Sequence, residues 1–134
     1  MLPPPFDLTT IGDGLPAAEL LPRIPERGPL VVEAPPGTGK TTLVPPALSN
    51  ILRHTARTAS QTARATPATQ AARATPPKVL VTAPRRVAVR AAARRLAHLD
   101  GSRVGDRVGY SIRGEHHPGS LVEFVTPGVL LNRL

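Results

Sequence analysis

The residues best suited to chemistry lie in one run, Ala34-Pro-Pro-Gly-Thr-Gly-Lys40-Thr-Thr. A loop wrapped around a phosphate must turn successive backbone amides inward, which requires small residues and unusual dihedrals at Gly37 and Gly39. Lys40 is then placed to reach the β- and γ-phosphates of a nucleotide, which makes it the catalytic candidate. The Thr41 hydroxyl can complete the coordination of a Mg²⁺ ion. Pro36, Gly37, Thr38, Gly39, Lys40, Thr41 and Thr42 form the expected phosphate-binding set, with ATP and Mg²⁺ as the implied ligands. This is the Walker A pattern with Ala34 at its first glycine position. Lys40 is also one of only two lysines in a chain that otherwise uses arginine for its basic residues.

Such a loop works only between a strand and a helix. The apolar run Pro29-Leu-Val-Val-Glu33 reads as a strand buried on both faces. A helix is expected from about Lys40 to Arg53, whose amino-terminal end adds its partial positive charge to the same anion. Pro45 and Pro46 fall inside it and should kink or shorten it, since neither has an amide hydrogen. Further on, Lys78 to Ala83, Val108 to Ile112 and Leu121 to Val125 read as strands, and Val87 to Leu99 as an Ala/Arg helix stopped by Asp100-Gly101. Thr126-Pro-Gly supplies an N-cap and a first-position proline for a terminal helix from about Val129. Strands alternating with helices imply an α/β fold with a parallel sheet.

Two stretches stand apart. Residues 1–29 are Pro-rich and weakly patterned, with at most a helical turn at Ala17–Leu21 before Pro22, and are read as a lead-in. Residues 54–77 consist almost wholly of Ala, Thr, Arg, Gln, Ser and Pro, with Ala-Arg-Ala-Thr-Pro at both 63–67 and 72–76. With no large apolar side chain to offset the entropy of ordering, this stretch reads as a flexible, basic, low-complexity insertion.

The 134-residue chain carries a formal net charge of +8. Between Ala34 and Leu99 there are eleven Lys and Arg residues and no Asp or Glu, which favours a polyanionic partner. Phe6, Tyr110 and Phe124 are the only Phe, Tyr or Trp residues, so platforms for stacking bases are essentially missing. No cysteine is present, which excludes disulfides and thiolate metal sites. No stretch approaches a membrane span, and a soluble cytoplasmic protein is the default. His116 and His117 beside Glu115 read as loop residues rather than metal ligands, and Tyr110 as core.

Four segments, in order, resemble the DEAH-box helicases of superfamily 2. Thr41-Thr-Leu-Val-Pro45 is similar to the Thr-Thr-x-Ile/Val-Pro that follows their phosphate loop. Ala83-Pro-Arg-Arg-Val-Ala88 looks like motif Ia, Val108-Gly-Tyr-Ser-Ile-Arg-Gly-Glu115 like their Val-Gly-Tyr-x-Ile/Val-Arg-x-Glu stretch, and Val125-Thr-Pro-Gly-Val-Leu-Leu131 like motif Ib. The Ala-Pro-Pro-Gly loop with Val-Pro after it looks most like the bacterial HrpB-type branch. The resemblance implies a RecA-like P-loop NTPase domain spanning residues 30–134 after the 1–29 lead-in, and an ATP-dependent helicase as the complete protein. It further implies that Arg85 and Arg86, Arg113, Thr126 and Gly128 contact a single nucleic-acid strand, with RNA ahead of DNA and the choice between them left open. Phosphate contacts suit a translocating motor because they give affinity without sequence preference.

The family's Asp-Glu-x-His segment, its Ser-Ala-Thr motif and its second RecA-like domain have no counterpart here. Pro127 replaces the usual acidic residue of motif Ib, and Leu43 a frequent Gln. The expectation is therefore a partial domain truncated before the Walker B strand, with weak nucleotide affinity, negligible turnover and an exposed sheet edge. Two readings from other classes stay open: another P-loop NTPase, and a non-catalytic basic fragment that binds nucleic acid.

Overall fold

The computed structural model describes residues 4–24, 31, 39–62 (backbone alone from 57) and 77–133. In chain order the elements are α1 (Leu8–Ile11), a 3-10 helix (Pro16–Arg23), α2 (Lys40–Thr62), β1 (Val79–Thr82), α3 (Arg86–Asp100), β2 (Val108–Ile112), β3 (Glu115–His117), β4 (Val122–Val125) and α4 (Pro127–Arg133). The described strands form one sheet in the order β1-β4-β2-β3. β4 runs parallel to both neighbours, with Val79 and Val108 both level with Val122, and only the β2–β3 pairing is antiparallel.

β4 lies at the centre of the sheet, and Val122, Glu123, Phe124 and Val125 are all fully buried. Its apolar side chains join Val108, Tyr110 and Ile112 of β2 and Val89, Ala93, Leu96 and Ala97 of α3 in the core. α3 presents those four residues at helical spacing and leaves Arg94, Arg95 and His98 exposed. It ends where Gly101 takes a φ of 74°, a left-handed cap that favours glycine. Gly109 marks the closest backbone approach in the sheet, because a Cβ there would collide with the backbone of His117 and Gly119.

The structure departs from the sequence reading in three places, and a fourth expectation falls largely outside the described residues. α2 does not stop near Arg53 but continues to Thr62. Residues 54–62 hold no Gly or Pro and include Ala56, Arg57, Ala59 and Gln61, so nothing breaks the helix as it propagates into the stretch read as a flexible insertion; residues 63–76 lie outside the described residues. Pro45 and Pro46 do not shorten α2. Both are buried, and Leu43 and Ala47 beside them pack into the core, which offsets the two lost amide bonds. His116 and His117 are not loop residues, since they form β3 with Glu115. The two-residue Arg113–Gly114 turn, with Gly114 at φ 87°, closes that hairpin. The expected strand Leu30–Glu33 lies outside the described residues apart from Val31, which is 84% exposed and carries no regular structure. Burial there needs an element packed on each face, and no described element covers Val31.

The lead-in belongs to the core. Asp7 caps α1 through its carboxylate, which accepts from the Thr9 and Thr10 amides at 3.1 and 3.2 Å and from the Thr10 hydroxyl at 2.8 Å. The Thr10 hydroxyl, more than the amides, holds the Asp7 carboxyl below its usual range. Phe6, Ile11 and Ala17 are buried against Leu43 of α2. Asn50 of α2 grips the Phe6 backbone at both ends, its Oδ1 accepting from the amide at 2.9 Å and its Nδ2 donating to the carbonyl at 3.0 Å. Arg107 closes the other side. Its guanidinium lies 4.5 Å from the centre of the Phe6 ring, donates to the Pro4 carbonyl at 2.6 Å and pairs with Asp100 at 2.9 Å.

Candidate nucleic-acid interface and phosphate-binding end

Parallel strands place their carboxyl ends on one side of a sheet, and both candidate surfaces lie there. β1 leads through Pro84 into α3, β2 into the Arg113–Gly114 turn, and β4 through Thr126 into α4. Between these three exits is an open groove of about 1060 Å³. Arg86, Arg113, Thr126 and Gly128 line it together, although they come from three separate segments. Arg85 does not line it; it is exposed one residue before α3 and supplies no side-chain cap to that helix.

Pro84, His116 and Arg133 also line the groove and were not legible as site residues. Arg133 had a signal: it lies seven residues after Thr126, two helical turns along the same face of α4. α4 has no buried residue of its own, and Leu131 is 68% exposed. What ties it down is Glu123, wholly buried on β4, which accepts from Arg133 at 2.6 Å and from Lys78 at 2.5 Å. Burial by itself would raise the Glu123 carboxyl, but the hydrogen bonds from Lys78 and Arg133 outweigh it and hold it below its usual range. Ser111 Oγ is buried on β2 and makes no hydrogen bond of ordinary geometry, though its hydroxyl still favours the charged carboxylate.

A second ionic contact governs the hairpin. Glu115 accepts from both Arg90 of α3, through Nε at 3.3 Å and through Nη2, and the Tyr110 hydroxyl at 2.8 Å. The Arg90 hydrogen bond, then that of Tyr110, keeps the Glu115 carboxyl ionised below its ordinary range, and Glu115 in turn raises Arg90. Tyr110 is a core residue whose ring tilts against His117, centroids 5.2 Å apart. The histidines therefore divide, His117 on Tyr110 and His116 in the groove. Among the described residues no cluster of three or more His, Cys, Asp or Glu could hold a metal ion.

The phosphate-loop candidates Pro36, Gly37 and Thr38 lie outside the described residues. Gly39, Lys40, Thr41 and Thr42 stand at the start of α2. Gly39 takes a φ of 95°, a conformation suited to glycine, and its carbonyl accepts from the Leu43 amide at 2.8 Å to begin the helix. Any side chain at Gly39 would also press on Leu15. Lys40 and Thr41 border a second groove of about 550 Å³ that runs along β1 and meets the first at Pro84. A positive-φ glycine, a lysine and a hydroxyl at the mouth of a long helix fit a nucleotide phosphate with its Mg²⁺.

This mixed α/β domain, with a mostly parallel sheet and a glycine-initiated helix, is matched by the family model described as "AAA domain" over residues 19–114, and the chain belongs to that family. Its similarity to curated helicases supports a helicase fragment of the DEAH-box type. The chain is 33% identical over 118 residues to the ATP-dependent RNA helicase HrpA of Borreliella burgdorferi, covering 87% of this chain and 12% of that protein. It is 44% identical over 55 residues to the ATP-dependent RNA helicase HrpB of Escherichia coli, covering 40% and 7% respectively. RNA editing associated helicase 2 of Trypanosoma brucei brucei is 41% identical over 56 residues, covering 42% and 3%. The chain thus spans a small part of the length of these curated relatives. No described helix is long and apolar enough to cross a membrane.

Proposed function

We propose that this chain is the front part of a RecA-like motor domain in an ATP-dependent RNA helicase, with residues 36–42 binding the phosphates of ATP and the arginine-lined groove holding a single RNA strand. The observation that carries this reading is the convergence of Arg86, Arg113, Thr126 and Gly128 on one groove beside the glycine-initiated helix. Two arginines give phosphate contacts that are blind to sequence, and the open shape admits a strand. Lys40 would neutralise the β- and γ-phosphates and Thr41 would ligate Mg²⁺, whose positive charge would offset the negative charge of the phosphates. Glu115 is engaged by Arg90 and Tyr110, and Glu123 by Lys78 and Arg133. Neither is disposed to activate water, which supports the reading that the chain alone turns over ATP negligibly. We read its site of action as cytoplasmic.

Binding of labelled poly-uridine by fluorescence anisotropy, titrated across salt, tests the groove. Arg86→Ala/Arg113→Ala is expected to weaken binding about tenfold near physiological salt and to flatten the log–log salt slope by roughly 1.4, two phosphates at about 0.7 each. An unchanged slope would remove the groove from the RNA path. For the nucleotide half, MgATP is expected to raise the melting temperature of the native chain by a small, concentration-dependent amount. Lys40→Ala should abolish that rise, and an equal rise in both chains would refute the role given to Lys40.

A further inference from the structure

Arg86 and Arg113 come from elements far apart in sequence, yet a strand in the groove must meet both at a fixed span. Arg86 opens α3, while Arg113 sits at the tip of a two-residue turn with an exposed side chain. Such a tip is free to sway unless something other than its own strand pairing holds it. Arg90 lies one helical turn from Arg86, and Glu115 lies two residues from Arg113. The contact between Arg90 and Glu115 therefore acts close to both groove residues. Tyr110, buried in the core, fixes the same carboxylate from below through its hydroxyl.

We propose that Glu115 is a positioning residue for RNA binding. By accepting hydrogen bonds from Arg90 of α3 and Tyr110 of β2, it holds the Arg113–Gly114 turn against α3 and sets the span between Arg86 and Arg113. This inference rests on the reading of the groove as an RNA track, and it adds the part that fixes the geometry. A planar guanidinium gripped at two points by a carboxylate resists rotation as well as separation. The ion pair is partly exposed, so its worth lies in geometry more than in stability.

The chain has no cysteine, so spin labels can be placed at chosen positions without background. Arg86→Cys/Arg113→Cys, doubly labelled, is expected to give a narrow distance distribution by electron dipolar spectroscopy. Adding Glu115→Gln should broaden it, and Arg90→Gln should do the same from the helix side if the first variant fails to fold. In the unlabelled chain, Glu115→Gln should lower the poly-uridine salt slope by roughly 0.7, the loss of one phosphate contact. A purely structural role would reduce the folded fraction and scale every affinity equally, leaving the slope unchanged. Narrow distances in the foldable variants, or an unchanged slope with Glu115→Gln, overturn the positioning role. If the double alanine variant at Arg86 and Arg113 flattens the slope while Glu115→Gln does not, the groove reading survives and this inference alone fails.

Discussion

Phe124→Ala is expected to destabilise the chain by about 3–5 kcal/mol, the usual cost of deleting a buried aromatic ring. Phe124 is fully buried at the middle of the central strand, level with Val81 on one side and Tyr110 on the other. The ring beside it, that of Tyr110, is held by its hydroxyl bond to Glu115 and is not free to fill the space. Against the roughly 5–15 kcal/mol available to a domain of ordinary stability, that loss is a large fraction. Circular dichroism should show the melting temperature falling by roughly 10–20 °C. Phe124→Leu, which keeps much of the volume, should lose far less. A drop of only a few degrees for the alanine variant would show that β4 is not the keystone of the sheet.

The second large effect concerns the ions beneath α4. Replacing Lys78 and Arg133 together by methionine leaves the Glu123 carboxylate buried without a counter-ion, at a cost of about 3–5 kcal/mol. The pH dependence should also invert. In the native chain the Glu123 carboxyl is held below its unfolded value. Its stabilising contribution is then present above the unfolded carboxylate range and is lost as pH falls through the folded value. In the methionine variant burial acts unopposed and the carboxyl rises, so stability should fall as pH climbs from mildly acid to neutral. Thermal melts across that window check the sign. Adding Glu123→Leu should recover most of the loss, because an apolar trio is commonly as stable as the ion cluster it replaces. Parallel pH profiles for the native chain and the methionine variant would contradict this account of Glu123.

What the sequence made legible follows from the kind of signal each element carries. β1, β2 and β4 are short apolar runs closed by turn residues and could be found from pattern; α3 was legible from its Ala/Arg composition ahead of Asp100-Gly101, but the spacing of Val87, Ala91, Arg94 and His98 marked its exposed face. β3 could not, because Glu-His-His has no apolar alternation; only the Arg113–Gly114 dipeptide between two runs hinted at a hairpin. The lead-in was missed for a different reason. Phe6, Ile11 and Ala17 reach the core one at a time from a Pro-rich segment, and scattered single contacts leave no period to read. α2 beyond Arg53 carries no large apolar residue, and in sequence that absence reads as disorder. In the groove, the resemblance to the DEAH-box motifs marked Arg86, Arg113, Thr126 and Gly128, whereas the partners of Glu115 and Glu123 lie up to 45 residues away and are set by tertiary packing.

The grip on the amino terminus bears on the order in which the molecule is made. Arg107 donates to the carbonyl of Pro4 across 103 residues of sequence, and it covers the ring of Phe6. The Phe6 segment therefore leaves a ribosome well before its seat is completed. Asn50 can engage Phe6 earlier, from 44 residues away, but the guanidinium that closes the clasp does not yet exist. At roughly 5–20 residues per second, about 5–20 s pass between synthesis of Pro4 and that of Arg107. For that interval the Phe6 ring lacks its cover, and the nascent chain carries an apolar segment open to any chaperone or neighbouring chain that meets it first.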